Sequence, residues 1–183
     1  MSWRGRLLCA SLVLGAVLVP VAGGGRSATQ VKGTVTLAAF DPKKACTFSN
    51  GTLSKPLGPL AKGSKVVLAQ CSATGTYAGL PHATGASYAW DWYLQLGKNG
   101  ATTGAAVEIG GLTLKTGSAS TVLIMEGLQK PVGAQTSAHA AALTTGEWGV
   151  KGGTKVSGTY TFETTRTGTK FSSSVLKVTG SIK

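Results

Sequence analysis

The sequence predicts an all-β domain, most simply a single antiparallel β-barrel of about eight strands carrying one disulfide, with a β-sandwich as the second choice. Three observations carry this reading. Apolar residues alternate with small or polar ones along several stretches of strand length, as expected when successive side chains face opposite sides of a sheet. Turn signals separate these stretches at close intervals, and 27 of the 183 residues are glycine. No long helical period occurs beyond residue 28. Closure into a barrel is favoured because it removes the exposed strand edges that invite aggregation.

The clearest strand runs from Tyr88 to Leu96. Tyr88, Trp90, Trp92, Leu94 and Leu96 hold alternate positions, while Ala89, Asp91, Tyr93 and Gln95 fill the others. One face suits a core and the other suits water. Asn99-Gly100 follows, a pair that readily takes the positive backbone angles of a tight hairpin.

In chain order, Arg4 and Arg6 precede an apolar run from Leu7 to Val21, which ends in small residues at Ala22-Gly23-Gly24. These features predict a secretory signal peptide over residues 1–28, cleaved between 22 and 28, and a single all-β domain over 29–183. The run is short for a membrane span and contains Pro20, so no retained transmembrane segment is expected. Cys9 leaves with the leader, and Cys46 and Cys71 remain as an even pair in an exported chain, most simply a disulfide. Closing their 25-residue separation restricts the unfolded chain by roughly 3.5 kcal/mol on the loop-entropy estimate.

Val31 to Phe40 reads as the first strand, ended by Asp41-Pro42. Asn50-Gly51 reads as a hairpin turn, and Leu53 to Ser64, with prolines, glycines and lysines, as a surface loop. Lys65 to Ser72 is a strand that brings Cys71 toward Cys46. Gly110-Gly111 reads as a two-residue hairpin between Ala105–Ile109 and Leu112–Lys115. Thr121 to Glu126, an extended crossing near Ala138 to Leu143, Glu147 to Val150, Val156 to Thr165 and Phe171 to Ile182 complete the set.

Trp148-Gly149-Val150-Lys151-Gly152-Gly153-Thr154-Lys155-Val156-Ser157-Gly158 resembles the strand-turn-strand of bacterial secreted relatives of dirigent proteins and allene oxide cyclases. Lys155 and Val156 depart from that family's glycine and aromatic. The resemblance covers roughly the last 35 residues, implies an eight-stranded barrel with an apolar cavity, and transfers no catalytic residue.

Removing Arg4 and Arg6 takes the 18 basic residues to 16 against 6 acidic ones, a charge of +10. The excess is nearly all lysine and lacks the interleaved aromatics and arginines of nucleic-acid readers, so a nucleic-acid partner is not expected. An anionic cell-surface polymer suits the charge better. His82 and His139 lack metal-ligand spacing, no nucleophile elbow accompanies them, and neither a cofactor nor a catalytic set is marked. Asp91, Glu108, Glu126, Glu147 and Glu163 read most simply as solvated outward side chains or lysine partners. Tyr88, Trp90, Trp92, Trp148 and Tyr160 are the candidates for lining a cavity that takes a small apolar or aromatic ligand. The expected function is therefore binding by an exported barrel. A cyclase-like barrel enzyme and an adhesive surface sandwich are the alternatives.

Overall fold

The computed structural model describes residues 28–80, 83–136, 138–153 and 155–182. The expected leader, His82 and Thr154 lie outside the described residues. In order, the elements are β1 (Thr29–Leu37), α1 (Pro42–Ala45), β2 (Cys46–Thr52), β3 (Lys65–Ala78), β4 (Gly85–Leu96), β5 (Thr102–Thr116), β6 (Ala119–Val132), β7 (His139–Val150), β8 (Gly158–Thr167) and β9 (Lys170–Ile182). Among the described residues no helix is long and apolar enough to cross a membrane.

All neighbours run antiparallel in the order β1-β9-β8-β7-β6-β5-β4-β3-β2, and β1 pairs a second time, with β3. That pairing, Thr34 to Leu37 against Ala78 to Gly75, closes eight strands into a barrel and decides against the sandwich. β2 takes over along β3 where β1 leaves it, from Cys46 opposite Cys71 to Thr52 opposite Lys65. Between the two pieces the chain follows β9 to a bridge between Phe40 and Phe171 and then crosses through α1. Asp41 caps α1 by accepting the Lys43 amide at 2.9 Å, and Pro42 sits in its first turn, where a missing N–H costs nothing.

Two expected turns are corrected. Gly110-Gly111 lies inside β5, which runs unbroken from Thr102 to Thr116; Gly110 clears space for the Tyr88 ring rather than reversing the chain. Asn50-Gly51 lies inside β2, opposite Val67 and Val66, because the reversal to β3 is made by the longer 53–64 loop. The alanine-rich 138–143 stretch is extended, as expected, and forms the start of β7. Gly100 takes a positive φ of 77° in the predicted turn at Asn99-Gly100, and Gly168 one of 59° between β8 and β9, a region open to glycine at little cost.

An eight-stranded barrel is just wide enough for its inward side chains to fill, and this interior is filled. Trp148, Leu112, Leu123, Met125, Leu176 and Val35 are fully buried. Tyr88 stacks on Trp90 at 5.1 Å between centroids, and Phe162 packs edge-on against Trp90 at 5.4 Å. A second, outer cluster covers the wall. Leu60, Val66 and Val107 are buried there, with Leu53, Leu57, Tyr93 and Ile109 against them, so the 53–64 loop shields apolar residues on the outer face of β3 to β5.

The Cys46–Cys71 disulfide joins residues directly opposite in the β2–β3 ladder, and β2 has no second strand partner among the described residues. Replacing both cysteines with alanine should therefore lower the unfolding free energy by about 3 kcal/mol in a denaturant titration. The loss should match that caused by reducing the native protein; equal stability of all three forms would contradict the assigned role.

Candidate functional site

Strand parity decides what faces the barrel interior. On β4 the inward set is Tyr88, Trp90, Trp92 and Leu94; on β5 it is Glu108, Gly110, Leu112 and Leu114, in register with β4 through Trp92 opposite Glu108 and Trp90 opposite Gly110. Glu108 is thus carried into the core, where it is 0% exposed.

Four neutral donors surround its carboxyl group. Tyr88 Oη donates to Oε1 at 2.6 Å and Tyr160 Oη to the same oxygen at 3.3 Å. Trp92 Nε1 donates to Oε2 at 2.7 Å and Thr144 Oγ1 at 3.0 Å. Burial raises the pKa of Glu108 above its usual value, and the four hydrogen bonds oppose that rise. Burial, followed by the nearby Glu108, pushes the Tyr88 and Tyr160 phenols upward as well. The arrangement accommodates a neutral acid, since a phenol oxygen accepts as well as donates, whereas Trp92 can only donate and fixes Oε2 as an acceptor.

Glycines make this geometry possible. A Cβ on Gly110 would lie 2.4 Å from Tyr88 Oη, and one on Gly127 would lie 2.5 Å from Tyr160 Oη. Both rings lie over bare backbone, and their hydroxyls reach Glu108 as a result.

Trp92 connects this cluster to an opening. At the end of the barrel marked by the β4–β5, β6–β7 and β8–β9 connections, a cavity of about 270 Å³ is lined by Trp92, Leu94, Phe171, Phe48 and the alanines 140–142, with Gln129, Thr164 and Arg166 among the polar groups. Phe48 is 56% exposed. A wider depression of about 610 Å³ adjoins it and shares Leu94, Gln129, Gln135 and Arg166. The Gln135 amide donates to the carbonyls of Val132, Gly133 and Ala141. Arg166 donates to the carbonyls of Gly168 and, at 2.9 Å, Thr136. Together they tie the β6–β7 connection to β7 and β8. The side-chain oxygen of Gln129 is buried without a hydrogen-bond partner among the described residues.

No family model matches the chain, and no curated protein or solved structure matches it either.

Of the five aromatic candidates, Trp92 lines the cavity, while Tyr88, Trp90, Trp148 and Tyr160 are buried in the packed core. Glu108, expected on a solvated face, is the opposite. The misplaced hairpin at Gly110-Gly111 hid its parity with Leu112 and Leu114, which was the available signal. Glu126 and Glu147 oppose each other across β6 and β7, and Glu163 pairs with Lys177 at 2.9 Å. Asp91 lies in mid-β4 on the face opposite Trp90 and Trp92, and His139 begins β7. Among the described residues no three His, Cys, Asp or Glu side chains converge as metal ligands.

Two outcomes are expected. Because burial raises the Glu108 pKa above 4.5, the folded protein keeps this proton where the unfolded chain has lost it. The carboxyl's contribution to stability is complete below about pH 4.5 and falls as pH rises through the folded pKa. Asp91, also raised by burial, acts in the same direction, so Glu108 is isolated by comparison with Glu108→Gln, which imitates the neutral acid. Denaturant midpoints measured against pH should decline less steeply in that variant; parallel profiles would refute the assignment. Gly110→Ala should cost about 1–3 kcal/mol by overpacking and displace Tyr88, seen as a changed near-ultraviolet circular dichroism spectrum. An unchanged spectrum and stability would show that the ring does not depend on this contact.

Proposed function

We propose that the protein is an exported binding barrel that takes a small, largely apolar or aromatic molecule into the cavity at its mouth and performs no chemistry on it. The observation that carries this reading is the change in the barrel's filling along its axis. Below Trp92 the interior is closed by rings and aliphatic side chains; above it, alanines at 140–142 leave room beside the rings of Trp92 and Phe171. Apolar walls with a few placed polar groups are the usual composition of a small-molecule site.

The cyclase-like alternative, suggested by the Trp148 to Gly158 resemblance, would call for a reactive group within reach of the ligand. Glu108 is buried and sealed beneath Trp92, which favours binding over turnover. In this reading Glu108 is a positioning residue: it holds the indole that forms the cavity floor.

Protein purified from its own source should retain a small molecule in native mass spectrometry. Ala142→Trp, which places an indole in the cavity, should abolish that retention without changing the far-ultraviolet spectrum. An apo mass for the wild type, or equal retention by the filled variant, would contradict the proposal.

A further inference from the structure

We infer that the ligand of this cavity is an anion: a small aromatic or apolar body bearing one acidic group, such as a carboxylate or sulfonate, that meets Arg166 while the body lies on Trp92 and Phe171. The inference rests on the binding reading above and adds a charge requirement to it.

The first support is the position of Arg166. It stands in the wall common to the cavity and the outer depression. Its two bonds to the carbonyls of Gly168 and Thr136 hold the guanidinium in one place. A guanidinium presents several N–H donors in a planar fork matched to two oxygens of an acid. Held in advance, it loses less freedom on binding than a mobile lysine would.

The second support is the charge around it. Lys43 and Lys44 adjoin the lining residue Pro42, Lys170 adjoins Phe171, and Lys98 lies in the β4–β5 connection at the same end; all four are exposed. Against these four and Arg166, the carboxylate at this end among the described residues is Asp41, and one of its oxygens already accepts the Lys43 amide. Asp91, Glu126 and Glu163 sit along the barrel wall, with Glu163 bound to Lys177. Positive charge around an opening with low-dielectric walls concentrates anions there. The apolar lining then selects, among anions, those with a ring or hydrocarbon body. A cationic ligand would be repelled, and a neutral one would gain nothing from the positive charge at the opening.

Two dyes with the same ring system test this: neutral N-phenylnaphthylamine and its sulfonated counterpart, anilinonaphthalene sulfonate. Both should bind the full protein with a rise in fluorescence, and both should be excluded by Ala142→Trp. The sulfonated dye should bind about tenfold more tightly at low salt, the scale of one charge-assisted hydrogen-bonded contact, and salt should erode that advantage. Arg166→Gln should weaken the sulfonated dye by about the same factor and leave the neutral one nearly unchanged; Arg166→Lys should recover part of the loss. The dye comparison and salt titration on the wild type remain decisive if an Arg166 variant fails to fold. Equal affinity of both dyes in the wild type, or an Arg166→Gln variant that folds and keeps the preference, would overturn the charge requirement while leaving the cavity reading intact. Failure of both dyes to bind, or binding insensitive to Ala142→Trp, would overturn the cavity reading itself. Salt-sensitive binding of the sulfonated dye that survives in the filled variant would mark adventitious surface attraction and count against both.

Discussion

A carboxyl group placed at the centre of an apolar barrel must be neutralised, hydrogen-bonded or both, because an unpaired buried charge costs several kcal/mol. Glu108 satisfies this through Tyr88, Trp92, Thr144 and Tyr160, which belong to β4, β7 and β8, while Glu108 itself stands on β5. The four strands come from opposite sides of the ring. The carboxyl therefore acts as a hub that fixes their side chains to one point, and each donor it fixes is a large ring or a short hydroxyl with little freedom to go elsewhere. Such a hub constrains which rotamers the core can adopt more than it adds net stability, since a well-packed apolar replacement of a buried polar group is often neutral.

The consequence for function passes through Trp92. Its N–H is committed to Glu108 below and its ring is offered to the cavity above. The orientation of the cavity floor is thereby tied to a buried titratable group. The walls have a different origin. The β8–β9 hairpin supplies Arg166 and Phe171, the β6–β7 connection is bound down by Gln135, and β2 rises on the far side, clamped to β3 by the disulfide. The opening is built from the ends of strands whose middles make the solid core.

The sequence made the strong strands and the disulfide legible because each rests on a plain signal: the Tyr88 to Leu96 alternation, the pair Cys46 and Cys71, and the glycines at tight turns. It misled where a local signal was overruled by tertiary packing. Gly110-Gly111 has the composition of a hairpin, yet the ring of Tyr88 lies against Gly110 in three dimensions, a contact between residues 22 positions apart that no turn propensity reports. That single misreading concealed the inward parity of Glu108. The alanines at 140–142 gave the weakest strand signal for a related reason. Small side chains leave little hydrophobic pattern, and the same smallness opens the cavity. The 53–64 loop was legible as a loop, but its leucines at 53, 57 and 60 signalled a cover for the outer wall rather than exposed chain.

Nuclear magnetic resonance titration of the glutamate side-chain carboxyl carbons, followed together with the Trp92 indole N–H, tests the central claim most directly. The account predicts that Glu108 titrates above the usual carboxylate range, and that the Trp92 indole proton shifts at the same inflection while staying protected from exchange with solvent. Titration of Glu108 within the ordinary carboxylate range, with a Trp92 indole proton that exchanges freely, would contradict it.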